Sequence, residues 1–372
     1  MSSKARYIMI GGFLGAGKST SILKLATWFK NQDKKVGLIT NDQGAELVDT
    51  AFLKSNGFSV KEIAGGCFCC RFNSLADAAT SLKEETKPDV FIAEPVGSCT
   101  DLIATVSYPL RRIYGEEYGI APLSVVVDPI RAARILGIEE GPRFSEKVRY
   151  IYRKQLEEAA IIMINKCDLI SPEKLETLHH KITETFPEAR IYHCSARKDT
   201  GLEPWFKMIA GAEVTQGNPL DIDYKTYGEG EAALGWLNAT VEARSSTPWD
   251  GNQATVQLAA KMCEVLRREG AVIAHLKMTL SPEVNLYGDL AVVNAVDESV
   301  QPELGQSLPD PLENGQLILN IRAEARPEVL RDAVQAAVRE CSGQTDFPSL
   351  QIDHLEFFKP GQPEPVHRDQ KL

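Results

Sequence analysis

Residues 6–19 read RYIMIGGFLGAGKS, an apolar run that leads into Gly-x-x-x-x-Gly-Lys-Ser from Gly12 to Ser19. This pattern is typical of a P-loop, and it stands between a predicted strand and a predicted helix, as a P-loop does. Glycines allow backbone N–H groups to turn towards phosphate oxygens, and a helix that begins at Lys18 points its positive end at them. We therefore expect Lys18 to reach the β- and γ-phosphates and Ser19 to ligate Mg²⁺. The alternative is a glycine-rich turn with an incidental lysine.

The first half of the chain alternates short apolar runs with amphipathic stretches. The runs are RYIMIGG, KVGLITND, DVFIAEP, LSVVVDP, AAIIMINK and RIYHCSA. Strands separated in this way by helical or loop sequence are typical of a mostly parallel sheet flanked by helices. The predicted fold class is therefore α/β, with a P-loop NTPase domain over residues 1–212.

The pattern changes in the second half of the chain. Residues 213–230 are rich in glycine and acidic side chains and lack periodicity, which predicts a linker. Residues 231–359 contain two βαβ-like halves around a mostly antiparallel sheet, which predicts a smaller α+β domain of the ferredoxin-like type. Residues 360–372 carry several prolines and no apolar stripe, so we expect a disordered tail.

Charge and cysteine content narrow the class of protein. The formal charge of -10 at pH 7 argues against a nucleic-acid partner, because such binding draws on clustered Lys and Arg. No apolar run is long enough to span a bilayer, and residues 1–6 lack the pattern of a secretory signal. We therefore expect a cytoplasmic location and no membrane partner. Cysteines in that compartment stay reduced, so a cluster among the 8 present indicates metal binding or redox chemistry.

A guanine-binding motif closes another apolar run. Residues 165–168 read NKCD after AAIIMI, at the carboxyl end of a predicted strand, where open α/β sheets bind ligands. The Asp168 carboxylate can accept hydrogen bonds from guanine N1 and N2, whereas adenine offers no such donor pair, so the motif favours GTP over ATP. Lys166 is expected to lie over the base. Ser195 and Ala196, which end a further predicted strand, are candidates to present backbone groups to guanine O6.

The strand DVFIAE ends at Glu94, and Gly97 stands three residues later. Most P-loop enzymes have an aspartate at this point. A carboxylate here can hold a magnesium-bound water, and a glycine N–H can contact the γ-phosphate and so sense its loss. The alternative is an ordinary turn after a strand.

The predicted catalytic residues are Lys18 and Glu94. The predicted nucleotide-binding residues are Gly12, Gly15, Ala16, Gly17, Lys18, Ser19, Thr20, Gly97, Asn165, Lys166, Asp168, Ser195 and Ala196.

Three cysteines stand together in GGCFCC, residues 65–70, after the predicted strand SVKEI. Cys67, Cys69 and Cys70 lie on a glycine-flanked loop, and thiolates are soft ligands suited to zinc or copper. Three protein ligands leave one coordination position open. Two alternatives remain, a buried and inert cysteine-rich turn and a catalytic thiol pair.

Together these motifs resemble the CobW-like GTPases, relatives of the GTPases that mature urease and hydrogenase. The resemblance covers residues 1 to about 210 and rests on GFLGAGKST, TNDQG, GGCFCC, EPVG and NKCD. It implies GTP hydrolysis coupled to delivery of a transition metal to a client metalloprotein, with GTP/GDP, Mg²⁺ and Zn²⁺ or a related ion as cofactors. It also implies that the CxCC cysteines bind the transition metal and that Glu94 lies near the magnesium expected at Ser19, with Asp42 nearby.

The sequence departs from the family pattern in two respects. TNDQG stands where the family usually shows NEFG, so the Asp42 carboxylate is shorter by one methylene, and Gln43 replaces phenylalanine. The family often carries a His-rich stretch, but the 6 histidines here are scattered, which disfavours metal storage. The alternative function is a GTP-dependent assembly or activation switch for a client such as a corrinoid (cobalamin) enzyme, with structural cysteines. The metal, the client and the oligomeric state stay open, a homodimer being one option.

Overall fold

The computed structural model describes residues 4–42, 48–211, 219–285, 288–296, 301–342, 344 and 347–370. The chain divides into two compact units. The first comprises Met1–Gln43, Asn56–Gly230 and Gln362–Leu372, and the second comprises Gly44–Ser55 and Glu231–Gly361. This division differs from the predicted one, because an early segment joins the second unit and the final segment joins the first. Gln43 and the start of the predicted linker lie outside the described residues.

The first unit is built on a parallel sheet. Its strands are β1 (Ala5–Gly11), β2 (Val36–Asn41), β3 (Ser59–Ile63), β4 (Val90–Glu94), β5 (Tyr118–Ile120), β6 (Ser124–Val127), β7 (Ile161–Ile164) and β8 (Arg190–His193). They lie in the order β3-β2-β4-β1-β6-β7-β8, with β5 pairing to β1, and all of these pairs are parallel. Every residue of β4, β6 and β7 is buried, as expected of strands covered on both faces. The predicted α/β class is confirmed.

Helices connect these strands. They are α1 (Lys18–Lys30), α3 (Phe72–Glu85), α4 (Tyr108–Tyr114), α5 (Pro129–Ile135), α6 (Glu146–Glu157), α7 (Pro172–Thr185), α8 (Glu203–Ala210) and α9 (Tyr224–Ala233), with a π-helix at Ile103–Ser107 and a 3₁₀ turn at Cys167–Leu169. The local sequence determines where two of these helices begin. The side chains of Asp128 and Ser171 cap α5 and α7, and each is followed by a proline, which is well suited to the first helical position.

The second unit is an antiparallel sheet with two long helices. Its elements are α2 (Val48–Ser55), β9 (Leu234–Trp249), α10 (Gly251–Arg268), β10 (Val272–Pro282), β11 (Ala291–Ala295), β12 (Glu303–Gln306), β13 (Leu312–Glu324), α11 (Pro327–Ser342) and β14 (Ser349–Phe358). The strand order is β12-β11-β10-β13-β9-β14. Without β11 and β12, the order β10-β13-β9-β14 and the β-α-β-β-α-β succession are those of a ferredoxin-like fold. The predicted class of the second domain is therefore confirmed, with a hairpin added at one edge.

Two polar contacts hold α2 within the second unit. The N–H of Val48 donates to Asn320 Oδ1 at 3.1 Å, and Lys277 Nζ lies 2.6 Å from Asp49 Oδ1. Asn320 is on β13 and Lys277 is on β10, so both partners of α2 come more than two hundred residues later in the chain. No local pattern in the sequence could have revealed that association.

The C-terminal segment of the first unit, predicted to be disordered, runs along the π-helix and along residues 65–70, which we call the cysteine loop. The N–H of Val366 donates to Cys69 O at 2.9 Å, and the N–H of Asp369 donates to Ala104 O at 2.8 Å. The Arg368 guanidinium lies 2.8 Å from an Asp101 carboxylate oxygen that belongs to a fully buried side chain. Backbone donors and two ion pairs, Arg368 with Asp101 and Arg112 with Asp369, therefore order this segment, although it lacks an apolar stripe.

Candidate nucleotide and metal sites

The P-loop joins β1 to α1 and requires glycine at two positions. Gly12 has a φ of 131°, and a side chain there would overlap the carbonyl oxygen of Val126. Gly17, which caps α1, has a φ of 93°, and a Cβ there would lie 2.5 Å from Asn165 Nδ2. Both backbone conformations are strained for other residues, and both sites are too crowded for a Cβ. The glycines thus permit the turn and also the close packing of later segments on the loop.

Three side chains hold three successive carbonyl groups of the P-loop. Arg131 Nη1 donates to Leu14 O. Lys166 Nζ donates to Gly15 O at 2.7 Å, and Asn165 Nδ2 donates to Ala16 O at 2.9 Å. Because C=O and N–H point in opposite directions across a trans peptide, fixing the carbonyls of Leu14 and Ala16 turns the following N–H groups away from these side chains. The loop is therefore held in a shape suited to receiving phosphate oxygens.

The structure brings the predicted catalytic residues together at the start of α1. Ser19 Oγ donates to Glu94 Oε1 at 3.1 Å, and Lys18 Nζ lies 3.9 Å from the same oxygen. All three side chains are buried. Hydroxyl and carboxylate oxygens are hard donors of the kind that Mg²⁺ prefers, so Ser19 and Glu94 fit the predicted ion. Asp42 follows β2, and Thr40 of β2 is paired with Glu94, so the Asp42 backbone emerges at the same sheet edge.

Gly97 packs directly on the P-loop. A Cβ at Gly97 would lie 2.6 Å from Leu14 Cδ2 and 3.0 Å from Leu14 N. The Gly97 carbonyl accepts a hydrogen bond from Gln155 Nε2 at 2.9 Å, and the same nitrogen donates to Cys99 O at 2.9 Å. The segment that follows β4 is therefore fixed between the P-loop and α6.

The NKCD segment contacts the P-loop through its first two residues and is exposed at Asp168. Asn165 and Lys166 brace the P-loop as described, and Lys166 Nζ also donates to Asp128 Oδ2 at 2.9 Å. Burial favours the neutral form of the Asp128 carboxyl, but the charges of Lys166 and Arg131, together with their hydrogen bonds, hold its pKa below the usual value. Asp168 is exposed in its 3₁₀ turn, at the carboxyl end of β7, where a ligand could reach it.

Ser195 and Ala196, which were predicted to present backbone groups to guanine O6, use their N–H groups in hydrogen bonds within the protein. The Ser195 N–H donates to Thr200 O at 3.0 Å, and the Ala196 N–H donates to Asn165 Oδ1 at 2.9 Å. Both N–H groups are thus engaged within the protein, because Ser195 pairs with Thr200 in a β-bridge and Ala196 abuts the buried amide. Their contact with guanine O6 stays a prediction.

The three predicted metal ligands form one cluster. Cys67 Sγ lies 2.8 Å from Cys69 Sγ and 3.3 Å from Cys70 Sγ, and the last two sulfur atoms are 3.7 Å apart. The Asn41 side chain donates to Ile63 O and Gly66 O and so fixes the start of this loop at the end of β2. The cysteine loop therefore lies at the sheet edge that also carries Asp42 and Glu94.

A fourth cysteine, which the sequence analysis missed, joins this cluster. The sulfur atoms of Cys67, Cys69 and Cys99 all lie within 4.8 Å of one another, and all three residues are buried. Hydrogen bonds with Cys67, Cys70 and Cys99, followed by burial, raise the pKa of the Cys69 thiol well above its usual value. Such thiols stay protonated unless a cation favours the thiolate form. Cys99 follows β4 as the cysteine loop follows β3, and only β2 separates these strands in the sheet. The sequence shows that each cysteine follows a strand, but it does not show that the strands are neighbours.

Asp128 and Arg131 were also missed. They lie in the segment that follows β6, which was recognised only as a strand. An acidic residue after an apolar strand, followed by Pro, was the available signal for the helix cap. Nothing local in the sequence indicates that Arg131 reaches Leu14, since that contact links segments more than one hundred residues apart.

Comparison with known proteins agrees with this geometry. Residues 6–193 match the family model described as the CobW/HypB/UreG nucleotide-binding domain. The chain belongs to the CobW/HypB/UreG family. The resemblance inferred from the motifs is thereby confirmed. Among the helices that the structure describes, none combines the length and apolar character needed to cross a membrane.

Two curated relatives illustrate the similarity of this CobW/HypB/UreG family member. It is 30% identical over 197 residues to the zinc chaperone YeiR of Escherichia coli (strain K12). The aligned stretch is 52% of this chain and 56% of YeiR. The chain is 30% identical over 227 residues to the zinc chaperone CobW of Sinorhizobium sp., which covers 55% and 60%. The chain thus spans little more than half the length of these relatives. This chain also aligns with the crystal structure of Zn(II)-bound YjiA GTPase from E. coli, at 14% sequence identity and a TM-score of 0.37. The alignment covers 90% of this chain and 99% of the YjiA chain.

Proposed function

We propose that this protein hydrolyses GTP and couples that reaction to delivery of a zinc-like ion, bound by Cys67, Cys69 and Cys70, to a client metalloprotein. The observation that carries the proposal is the convergence of the thiol cluster and the P-loop contacts on one edge of the parallel sheet. The cysteine loop follows β3, and the segment from Glu94 to Cys99 begins at the last residue of β4. That segment touches Ser19 at its start and the thiols at its end.

The phosphate side of the reaction depends on positioning. Lys18 supplies a positive charge, the braced loop supplies N–H donors, and the helix that begins at Lys18 adds its positive end. Mg²⁺, when bound, neutralises charge that develops on the phosphate oxygens. Ser19 and Glu94 would hold it, with Asp42 nearby. A water then attacks the γ-phosphorus, and stabilisation comes mainly from charge and orientation. None of the side chains proposed for this site is a strong base, so we expect slow intrinsic turnover.

The guanine preference is proposed to rest on Asp168. Asp168 follows Asn165 and Lys166 within four residues, and the side chains of those two hold the P-loop. Base and phosphate recognition would therefore come from one short segment. Two similar proteins, YeiR and CobW, are both named as zinc chaperones, which supports a zinc-like ion as the cargo.

The coupling of metal and nucleotide gives the decisive experiment. The zinc affinity of the reduced protein is measured by competition with a chromogenic chelator, once with GDP and once with a non-hydrolysable GTP analogue. We expect the two affinities to differ by about 5- to 150-fold, the range of typical linked sites. Equal affinities in the two states would remove the coupling from the proposal.

Matched variants separate metal binding from general loss of thiols. Replacement of Cys67, Cys69 and Cys70 by alanine should abolish stoichiometric zinc binding. Cys263→Ala removes a buried thiol from α10 of the second unit and should leave zinc binding unchanged. If the triple variant binds zinc as the parent does, the cysteine loop is not the metal site, and the alternative of an assembly switch with structural cysteines is favoured.

A further inference from the structure

We propose that Cys99 is the fourth ligand of the transition metal and the residue through which the nucleotide state reaches the metal. This inference rests on the proposed function, because it concerns the same ion. It replaces an open three-cysteine site by a closed site of four thiolates. It also gives a metal-binding role to the segment that contains EPVG and Cys99. The EPVG motif by itself indicates only contact with the nucleotide.

The geometry of the four sulfur atoms suits a tetrahedral ion. An ion bonded to four thiolates at about 2.3 Å holds the sulfur atoms about 3.8 Å apart. The Cys69–Cys70 separation of 3.7 Å already meets this value, and the Cys67–Cys69 separation of 2.8 Å requires an opening of about 1 Å. Cys99 Sγ lies within 4.8 Å of the Cys67 and Cys69 sulfur atoms. Adjustments of about 1 Å therefore bring Cys67, Cys69 and Cys70 to tetrahedral separations, and Cys99 is near two of these three ligands.

The surroundings of the cluster exclude water and offer hydrogen bonds to sulfur. Cys99 is 2% exposed and Cys69 is 1% exposed, so water has little access to these two residues. The N–H of Glu364 lies 3.2 Å from Cys70 Sγ and points at it as a donor, which stabilises a thiolate. The N–H of Val366 donates to Cys69 O, so residues 364–366 cover this side of the loop. Hydrogen-bonded and enclosed ligands are typical of a structured metal site.

Cys99 is connected to the P-loop by a short covalent path. Glu94, five residues before Cys99, accepts a hydrogen bond from Ser19, and Gly97 lies against Leu14. Gln155 donates to the carbonyls of both Gly97 and Cys99, so those two residues are held as one piece. A shift of the Gly97 segment between the GTP and GDP states would therefore move the Cys99 sulfur. Loss of that one ligand opens the site, which is what transfer of the ion to a client requires.

The test compares Cys99→Ala with the parent and with Ser98→Ala, which alters a neighbouring buried side chain on the same segment. Zinc affinity is measured with GDP and with the GTP analogue, and Co²⁺ is bound in place of zinc to count thiolates by their charge-transfer absorption. We expect Cys99→Ala to bind zinc on the order of 100-fold more weakly, to lose the difference between nucleotide states and to lose charge-transfer intensity. Ser98→Ala should match the parent in all three measurements.

A second variant guards against an effect on folding. Cys99→Ser is closest in shape to cysteine and should show the same weakening of zinc binding, while its thermal unfolding temperature without metal stays that of the parent. If either Cys99 variant retains the parental affinity and Co²⁺ spectrum, Cys99 is not a ligand, although the three-cysteine proposal survives. If the parent itself binds neither zinc nor Co²⁺, the proposed function fails and this inference fails with it.

Discussion

The bracing of the P-loop by Asn165 leads to a prediction that separates a structural role from direct contact with nucleotide. Asn165→Asp preserves the shape of the side chain and the acceptor for the Ala196 N–H, which lies 2.9 Å from Oδ1. It replaces the amide that donates to Ala16 O at 2.9 Å by a carboxylate oxygen that faces a carbonyl oxygen. The side chain is 2% exposed, so water cannot compensate. We expect the nucleotide-free protein to be destabilised.

The magnitude follows from the contact that is lost. A buried acceptor left without its donor costs about 1–3 kcal/mol, and the buried negative charge adds to this, so we expect about 2–4 kcal/mol near pH 8. For a unit of this size that corresponds to a fall of roughly 5–15 °C in the unfolding temperature. Burial beside a carbonyl raises the pKa of the new carboxyl, and its protonated form can donate to Ala16 O. Part of the stability should therefore return as the pH is lowered towards 5.

The assay is thermal unfolding of the nucleotide-free protein at pH 8 and pH 5, with GDP affinity measured in parallel. Asp168→Asn is the matched control, because its exposed side chain is proposed to contact only the base, so its unfolding temperature without nucleotide should equal that of the parent. The reasoning is refuted if Asn165→Asp weakens GDP binding while the nucleotide-free unfolding temperature stays unchanged at both pH values. Asn165 would then act on the nucleotide alone.

Three further outcomes can be checked. The parent should hydrolyse GTP in preference to ATP, and Asp168→Asn should erode this preference by about 1.5–3 kcal/mol in the ratio of kcat/KM values; equal rates with both nucleotides in the parent would rule out guanine recognition. Lys18→Ala should abolish single-turnover GTP hydrolysis with an unchanged circular dichroism spectrum, and retained turnover would show that this loop is not catalytic. Burial, and then the charge of Asp101, raise the pKa of Glu158 to about 8 from its usual 4.5, so the folded state binds a proton that the unfolded state releases between these values. The urea midpoint of the metal-free parent should therefore fall as the pH rises from about 5 to 8, and Glu158→Gln should remove most of this pH dependence. The same pH dependence in both proteins would show that the pKa of Glu158 is not raised.

The sequence alone was sufficient for the features that contiguous residues create. The P-loop, the NKCD motif and the three cysteines of GGCFCC each lie within a few residues, so their spacing is set by backbone geometry and can be read directly. The alternation of apolar runs and helical stretches determined a parallel sheet, because helices are needed to connect parallel strands. The second unit followed from its order of strands and helices, and its ferredoxin-like sheet is observed.

The tertiary structure decided what distant segments do together. Cys99 meets Cys67 and Cys69 because β3, β2 and β4 are neighbours in the sheet, and only the strand order brings their ends together. Arg131 reaches the P-loop in the same way, across the β1–β6 pair. The association of α2 with the second unit and of residues 362–370 with the first depends on individual hydrogen bonds and ion pairs. Periodicity reports how one segment buries its own face, but the partner of a buried face or a polar group is chosen by long-range packing.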